Sequence, residues 1–284
     1  MRYALVDGTR TEARPRLRGT CPCCGSQTIA KCGNHVVWHW AHRRRGDCDS
    51  WWESETKWHR SWKDRFPIAW QEVVHRDPVT AEKHIADVKT PNGLVIEMQN
   101  SPIHPDEMRS REKFYGKIVW VVNGDRCGSD GRSQTLDRSY FHMGRSSRPT
   151  RRNPLAFPVE WIGKSKLFHN WSNATGDVYF DFGDGILWRL DSFEPDKTVP
   201  IEDSNTVKSD GGAQGELFPT ADTPGKKQRK INLGVVTPIR IDDFVKCSKK
   251  GRPVPGGFGP ADLSIFGKEL VYIGTVGGRA VHDT

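Results

Sequence analysis

Residues 84–99 read HIADVKTPNGLVIEMQ. Two strand-like runs, 82–89 and 93–99, flank Pro91-Asn92-Gly93, a turn signal of the kind that closes a β-hairpin. A loop centred on Asn92 sets Asp87 across from Glu97, and Ile85 across from Gln99. Side chains alternate along a strand, so Ala86, Val88, Leu94, Ile96 and Met98 are expected on one wholly apolar face. That pattern argues for the register, because a slip by one residue would expose all of it. On the other face the Cβ atoms of Asp87 and Glu97 would lie about 5 Å apart. Two like charges at that spacing repel. Either a cation such as Mg²⁺ neutralises them, or a neighbouring base does, with Lys89 within reach.

Working outward, WWESETKWHRSWKDRF (51–66) predicts a helix with Trp51, Glu55, Trp58, His59, Trp62 and Phe66 on one face. Glu55, His59 and Lys63 follow each other at four-residue steps. A carboxylate aimed at a core is costly unless it is paired or bound to a metal. The alternatives are an ordinary helix salt bridge, or Glu55 and His59 reaching over the sheet to the Asp87/Glu97 pair. Pro67 ends this helix, and Trp70–His75 reads as a strand. Residues 104–115 read as a charged helix with Pro105 near its start, and Lys117–Asn123 as a buried strand. Helix, three strands, helix, strand is an α/β order with a mixed sheet.

Beyond Asn123 the pattern weakens. Residues 124–153 are polar and Arg-rich, and the stretch 157–191 carries the aromatic strands VYFDF and ILWRL. Residues 194–230 have the composition of a linker. The division expected is 1–50 as a metal-binding module, 51–125 as the α/β core and 126–193 as its helical and β continuation. A linker over 194–230 and a small C-terminal β-structure over 231–284 complete it.

Five of the seven cysteines lie between Cys21 and Cys48. In a reducing compartment such clustering reads as metal binding before disulfides. Cys21 and Cys24 have the spacing of a zinc knuckle. His39 and His42 would point to opposite faces of a strand, so one of them is expected to join. The ligand set expected is Cys21, Cys24, His42 and Cys48, with His39 as the substitute and Cys23 and Cys32 as further candidates. Four protein ligands leave no open position, which makes the zinc structural.

The chain of 284 residues carries a formal charge of +8 and has a pI near 9.2. Basic runs occur at Arg43–Arg45, around Arg145, Arg148, Arg151 and Arg152, and at Lys226–Lys230. A polyanionic partner is compatible with that balance. The N-terminus shows no apolar leader, and the longest apolar run, Ile118–Val122, is far too short to span a bilayer. A cytoplasmic location without membrane attachment is the expectation.

These pieces resemble the competence protein CoiA-like family, a branch of the PD-(D/E)XK nuclease superfamily. The matching stretches are CPCCG (21–25), HWAH (39–42), E-x-x-x-H-x-x-x-K (55–63), the AD of HIADVKT (84–90) and IEMQNSPI (96–103). The likeness covers residues 21–123 closely and the later aromatic strands less specifically. It implies a restriction-endonuclease-like mixed sheet flanked by helices, with an N-terminal zinc-ribbon-like module and a C-terminal β-rich extension. It further implies that Asp87 and Glu97 hold Mg²⁺ or Mn²⁺, and that Glu55 completes that site beside His59 and Lys63. Gln99 stands where the superfamily usually has Lys, so Lys63 or Lys89 is expected to supply the missing charge. DNA would be the substrate, single-stranded, duplex or branched, with other DNA-processing proteins as partners. The alternative implied is a DNA-binding, recombination-assisting factor that keeps the fold with little or no cleavage.

Overall fold

The structure, a computed structural model, describes residues 1–43, 48–124, 141–143, 157–161, 166–183, 185–200, 228–254, 275–276 and 279–280. The basic clusters at Arg145–Arg152 and most of Arg43–Arg45 lie outside these residues.

The chain opens with a five-stranded antiparallel sheet. Its strands are β1 (Tyr3–Val6), β2 (Thr9–Glu12), β3 (Arg18–Thr20), β4 (Gln27–Lys31) and β5 (His39–His42), in the order β2-β1-β3-β4-β5. Asp7 and Gly8 both take positive φ, 50° and 76°, the backbone of a tight two-residue hairpin turn. The core behind this sheet is small: Met1, Ala4, Ala13, Cys21, Cys23 and Trp40.

Next come α1 (Lys57–Lys63), β6 (Gln71–Arg76), β7 (Lys83–Lys89), β8 (Val95–Gln99), α2 (Pro105–Tyr115) and β9 (Ile118–Asn123). After them follow β10 (Phe141–Met143), β11 (Phe157–Trp161), α3 (Lys166–Trp171), β12 (Asp177–Asp181), β13 (Ile186–Pro200), β14 (Gln228–Arg240) and α4 (Ile241–Lys250). The strands from β6 onward form one nine-stranded sheet, ordered β10-β11-β14-β13-β12-β9-β8-β7-β6. β8, β9 and β12 run parallel, and the other pairings are antiparallel. The architecture is therefore mixed α/β, as the element order predicts. β13 runs into the 194–230 stretch read as a linker, as far as Pro200, and β14 starts inside it at Gln228, because these strands pair with each other. The rest of β14, with α4, comes from the stretch read as C-terminal β-structure and packs into this same sheet and core. Among the described residues no helix is long and apolar enough to cross a membrane.

Alternation along the central strands sorts side chains onto two faces. Val95, Trp120, Val122, Val178 and Phe180 pack on one face under α2 and α3. Ile96, Met98, Val121, Tyr179 and Leu187 pack on the other under α1 and α4. Glu112 of α2, though buried, is fully engaged. It accepts from Trp120 Nε1 (3.1 Å), the Thr175 and Gly176 amides (both 3.0 Å) and Thr175 Oγ1 (2.8 Å), tying α2 to the start of β12.

Two expectations are corrected. The first helix begins at Lys57, not Trp51. Thr56 caps it through the His59 amide, and His59 Nδ1 accepts in return from the Thr56 amide at 3.1 Å. This reciprocal cap stops the helix even though the tryptophan spacing runs on upstream. The second correction concerns the hairpin. Val88 pairs with Ile96 and Lys89 with Val95, the register expected, but the ladder of paired residues ends there. Ala86 leaves the face it was to share with Val88, Ile96 and Met98 and joins the opposite core. The cause lies at the next residue, where carboxylates replace backbone partners.

Candidate functional site

At that point the two strands separate. The Asp87 amide donates to Glu97 Oε1 at 3.2 Å, and the Met98 amide donates to Asp87 Oδ2 at 3.0 Å. Each acid is thus oriented by the backbone as well as by its own rotamer. Both line a cavity of about 70 Å³, together with Glu53, Glu55, His59, Lys63, Glu72 and Arg111.

The charges there are tightly apportioned. Lys63 is buried, and its ammonium lies 3.0 Å from Asp87 Oδ1, 3.0 Å from Glu72 Oε1 and 3.5 Å from Glu55 Oε1. Burial works against its charge, but Asp87, Glu72 and Glu55 hold its pKa well above the ordinary value. Glu97 pairs with Arg111 at 3.2 Å. Burial pushes the Glu97 carboxyl up to about 8, the Asp87 charge adds to that, and Arg111 opposes it. Glu72 is held down at about 2 against the cost of burial, by Lys63, the chain's amino terminus and the Arg2 and Tyr3 amides.

The residues singled out from the sequence sort as follows. Glu55, Asp87, Glu97, His59 and Lys63 all reach the cavity. Glu55 sits just before the helix cap, outside the helix expected to carry it. His59 has both ring nitrogens engaged, Nδ1 with Thr56 and Nε2 with the Met98 carbonyl at 3.1 Å, so it pins α1 to β8. The Gln99 amide nitrogen is held by the Ser101 carbonyl at 3.0 Å. Lys89 turns to His75 Nδ1 at 2.7 Å, which leaves Lys63 as the lysine beside Asp87. Glu72, Arg111, Glu53 and Asp49 escaped sequence reasoning, since each reaches the site by long-range packing that no local spacing announces.

The cavity offers carboxylate oxygens, the donor type of a hard divalent cation. Glu55 Oε1, 3.5 Å from the Lys63 ammonium, is buried without a hydrogen-bond partner. Among the described residues, though, it is the Cys/His cluster below whose ligand atoms are close enough together to hold an ion. Replacing Lys63 by Met is expected to strand two buried acids, Glu55 and Glu72, and the half-buried Asp87, and to cost about 3–5 kcal/mol. The urea midpoint should fall at neutral pH, and the deficit should shrink as acid protonates the carboxylates. An unchanged midpoint would show that Lys63 does not hold these charges.

The second cluster is Cys21, Cys24, His42 and Cys48, whose ligand atoms all lie within 4.8 Å of one another. Cys21 Sγ and Cys48 Sγ are 3.6 Å apart, and Cys24 Sγ and His42 Nε2 are 3.3 Å apart. A tetrahedron of Zn–S bonds near 2.3 Å has edges of roughly 3.7 Å, so the arrangement can hold a zinc ion. Burial raises the Cys24 thiol, but hydrogen bonds from Ser26 and from the Cys48 and Cys21 sulfurs bring it down to about 6. Burial and the adjacent sulfurs push Cys48 strongly up. Three thiolates cannot share this space without a cation. The alternative ligand His39 turns to the Val37 carbonyl (2.9 Å), and Cys23 lies buried in the small core.

The residue after Cys48 joins the two sites. Asp49 Oδ1 lies 2.7 Å from His84 Nδ1 and accepts from the Trp51 amide, while Oδ2 accepts from the Ile85 amide at 2.9 Å. Trp51 stacks on the His84 ring at 3.3 Å. The chain thus combines a Cys₃His cluster that can hold a metal ion with an acid-lined cavity on an opened hairpin.

Comparison with known proteins bears on the first part of this. Residues 9–50, which contain all four residues of the Cys/His cluster, match the family described as competence protein CoiA, N-terminal domain. That match supports the CoiA-like likeness. A stretch of 85 residues is 36% identical to the probable indole-3-pyruvate monooxygenase YUCCA9 of Arabidopsis thaliana, covering 30% of this chain and 18% of that protein. The chain therefore spans less than a fifth of that relative's length. No solved structure matches.

Proposed function

We propose that the acid-lined cavity is the active site of a metal-dependent nuclease that hydrolyses DNA phosphodiester bonds, in competence-related or foreign-DNA processing. The observation that carries this reading is the opened hairpin, which turns Asp87 and Glu97 into one cavity with Glu55 and Lys63. Likeness to the CoiA N-terminal domain over residues 9–50 favours the competence-related setting. Asp87, Glu97 and Glu55 would hold Mg²⁺ or Mn²⁺, which supplies Lewis-acid polarisation of the phosphate and a more acidic bound water. Lys63, 3.0 Å from Asp87, provides the positive charge that Gln99 cannot. Arg111 fixes Glu97 from the α2 side. Preorganised charge of this kind acts without rearranging during the reaction.

A second reading is a DNA-binding, recombination-assisting factor that does not cut. It is favoured by Lys63, which already balances three of the acids, and by Gln99, which is engaged with Ser101. A cleavage assay with Mg²⁺ and with Mn²⁺ on single-stranded, duplex and branched DNA separates the two. The wild type should cut and Asp87→Asn should lose about 10²–10³-fold or more of the rate. Binding without cutting by the wild type supports the second reading.

A further inference from the structure

Two tryptophans are left substantially in water: Trp38 is 45% exposed and Trp52 is 58% exposed. Their neighbours are not. Trp51 is stacked on His84, and Trp40 and Trp62 are each 1% exposed. Exposed indoles are expensive, and here one lines the acid cavity while the other is tied to a lining residue through Arg60. Trp52 is the one that lines the cavity. The Trp38 carbonyl accepts from Arg60 Nη2, and that same nitrogen lies 3.4 Å from Glu55 Oε2. The Trp38 indole N–H is fixed by the Gly33 carbonyl at 3.2 Å, which sets the ring's direction. Exposed Val36 widens the apolar surface next to it. Arg60 brings positive charge between Trp38 and Glu55, and exposed Lys57 stands at the start of α1, on a chain of net charge +8.

Flat apolar faces with cations beside them are complementary to a polyanion that also presents aromatic faces. In continuous duplex the base faces are hidden in the stack, and only the phosphates could meet this surface. An unpaired strand offers both. We infer that Trp52 and Trp38 form a base-stacking platform at the mouth of the cavity, and that the DNA bound there is a strand with unpaired bases. A single strand or a flap satisfies this, whereas uninterrupted duplex does not. The inference rests on the nuclease reading for what the cavity does, but its test involves no cutting.

The test is fluorescence anisotropy of labelled DNA with the full chain and no added divalent ion. One sequence is presented as single strand, as duplex and as duplex with a single-stranded flap. Single strand and flap should bind more tightly than duplex. Trp52→Ala and Trp38→Ala should each weaken single-strand binding about tenfold, the loss of one base–indole stack, without altering the salt dependence. Trp52→Phe should recover most of the affinity. Both side chains are exposed, so circular dichroism of the variants should match the wild type. Equal affinity for duplex and single strand, or alanine variants that bind single strand like the wild type, overturns the platform and marks this surface as a contact for another protein. A wild type that binds in this way but never cuts leaves the platform standing and removes the nuclease reading. One that cuts while Trp52→Ala binds normally does the reverse.

Discussion

Exchange of Cys48 for Ser is expected to remove zinc from the purified protein and to unfold the first sheet. The argument is one of core size. Among the described residues, six make up the buried core of that sheet, and its strands are three to five residues long. Modules this small seldom bury enough apolar area to offset chain entropy. Apparent binding free energies for structural zinc run to about 10–16 kcal/mol, so the ion supplies most of the stability of such a module. Loss should not stop at the first sheet. Asp49, next along the chain, holds the Ile85 amide and the His84 ring, and both lie on the strand that carries Asp87. Elemental analysis should find no zinc in the variant, and its melting transition should broaden or split. Metal-dependent cleavage should fall with it. A zinc-free protein with a wild-type melting curve would refute the structural zinc.

Glu97→Gln is expected to abolish metal-dependent cleavage while leaving the fold at neutral pH almost untouched. The Glu97 carboxyl is 5% exposed as a residue and titrates near 8 instead of the ordinary 4.5. Without a bound ion it therefore carries a proton at about pH 7, and Gln imitates that neutral form. Its pKa is raised by folding, so its contribution to stability is fully present below about 4.5 and is lost as pH rises through about 8. Melting temperatures measured from about pH 5 to about pH 9 should decline on the alkaline side for the wild type and decline less for the variant. At neutral pH the two should lie within about 5 °C of each other. A divalent cation has to displace that proton, so Mg²⁺ affinity should rise toward about pH 8. Cleavage by Glu97→Gln at the wild-type rate would falsify the role given to this carboxylate.

The sequence disclosed most where local rules act alone. The hairpin register followed from the strict alternation around Pro91-Asn92-Gly93, and the Val88–Ile96 pair keeps it. The start of α2 followed from Pro105, and the structure adds Gly116 after its end, where φ is 67°. Knuckle spacing, and the rule that His39 and His42 face opposite ways so that one of them joins, led to Cys21, Cys24, His42 and Cys48, and these four do come together in a cluster that can hold a zinc ion. Where two local signals competed, the sequence misled. Tryptophan periodicity carried the first helix back to Trp51, but the Thr56–His59 cap decided its start. Ala86 changes face because Asp87 and Glu97 bond to backbone amides, an effect of the very acids that marked the site. Glu72, Arg111 and Asp49 were illegible because their partners lie far along the chain: the Arg2 and Tyr3 amides for Glu72, Glu97 for Arg111 and His84 for Asp49. The place of β14 was hidden for the same reason, since its long pairing with β13 spans the gap between them in sequence.

Because Asp87 and Glu97 also serve as acceptors for backbone amides, the hairpin contains its own reporter. An ion that draws on Glu97 Oε1 or Asp87 Oδ2 competes with the amide protons of Asp87 and Met98. Those two protons should shift and exchange with solvent faster as Mg²⁺ is titrated in, while the amide of Val95, bonded to the Lys117 carbonyl at 2.9 Å, stays protected. Ion capture can then be followed in nuclear magnetic resonance spectra of the protein alone, residue by residue, before any nucleic acid is added.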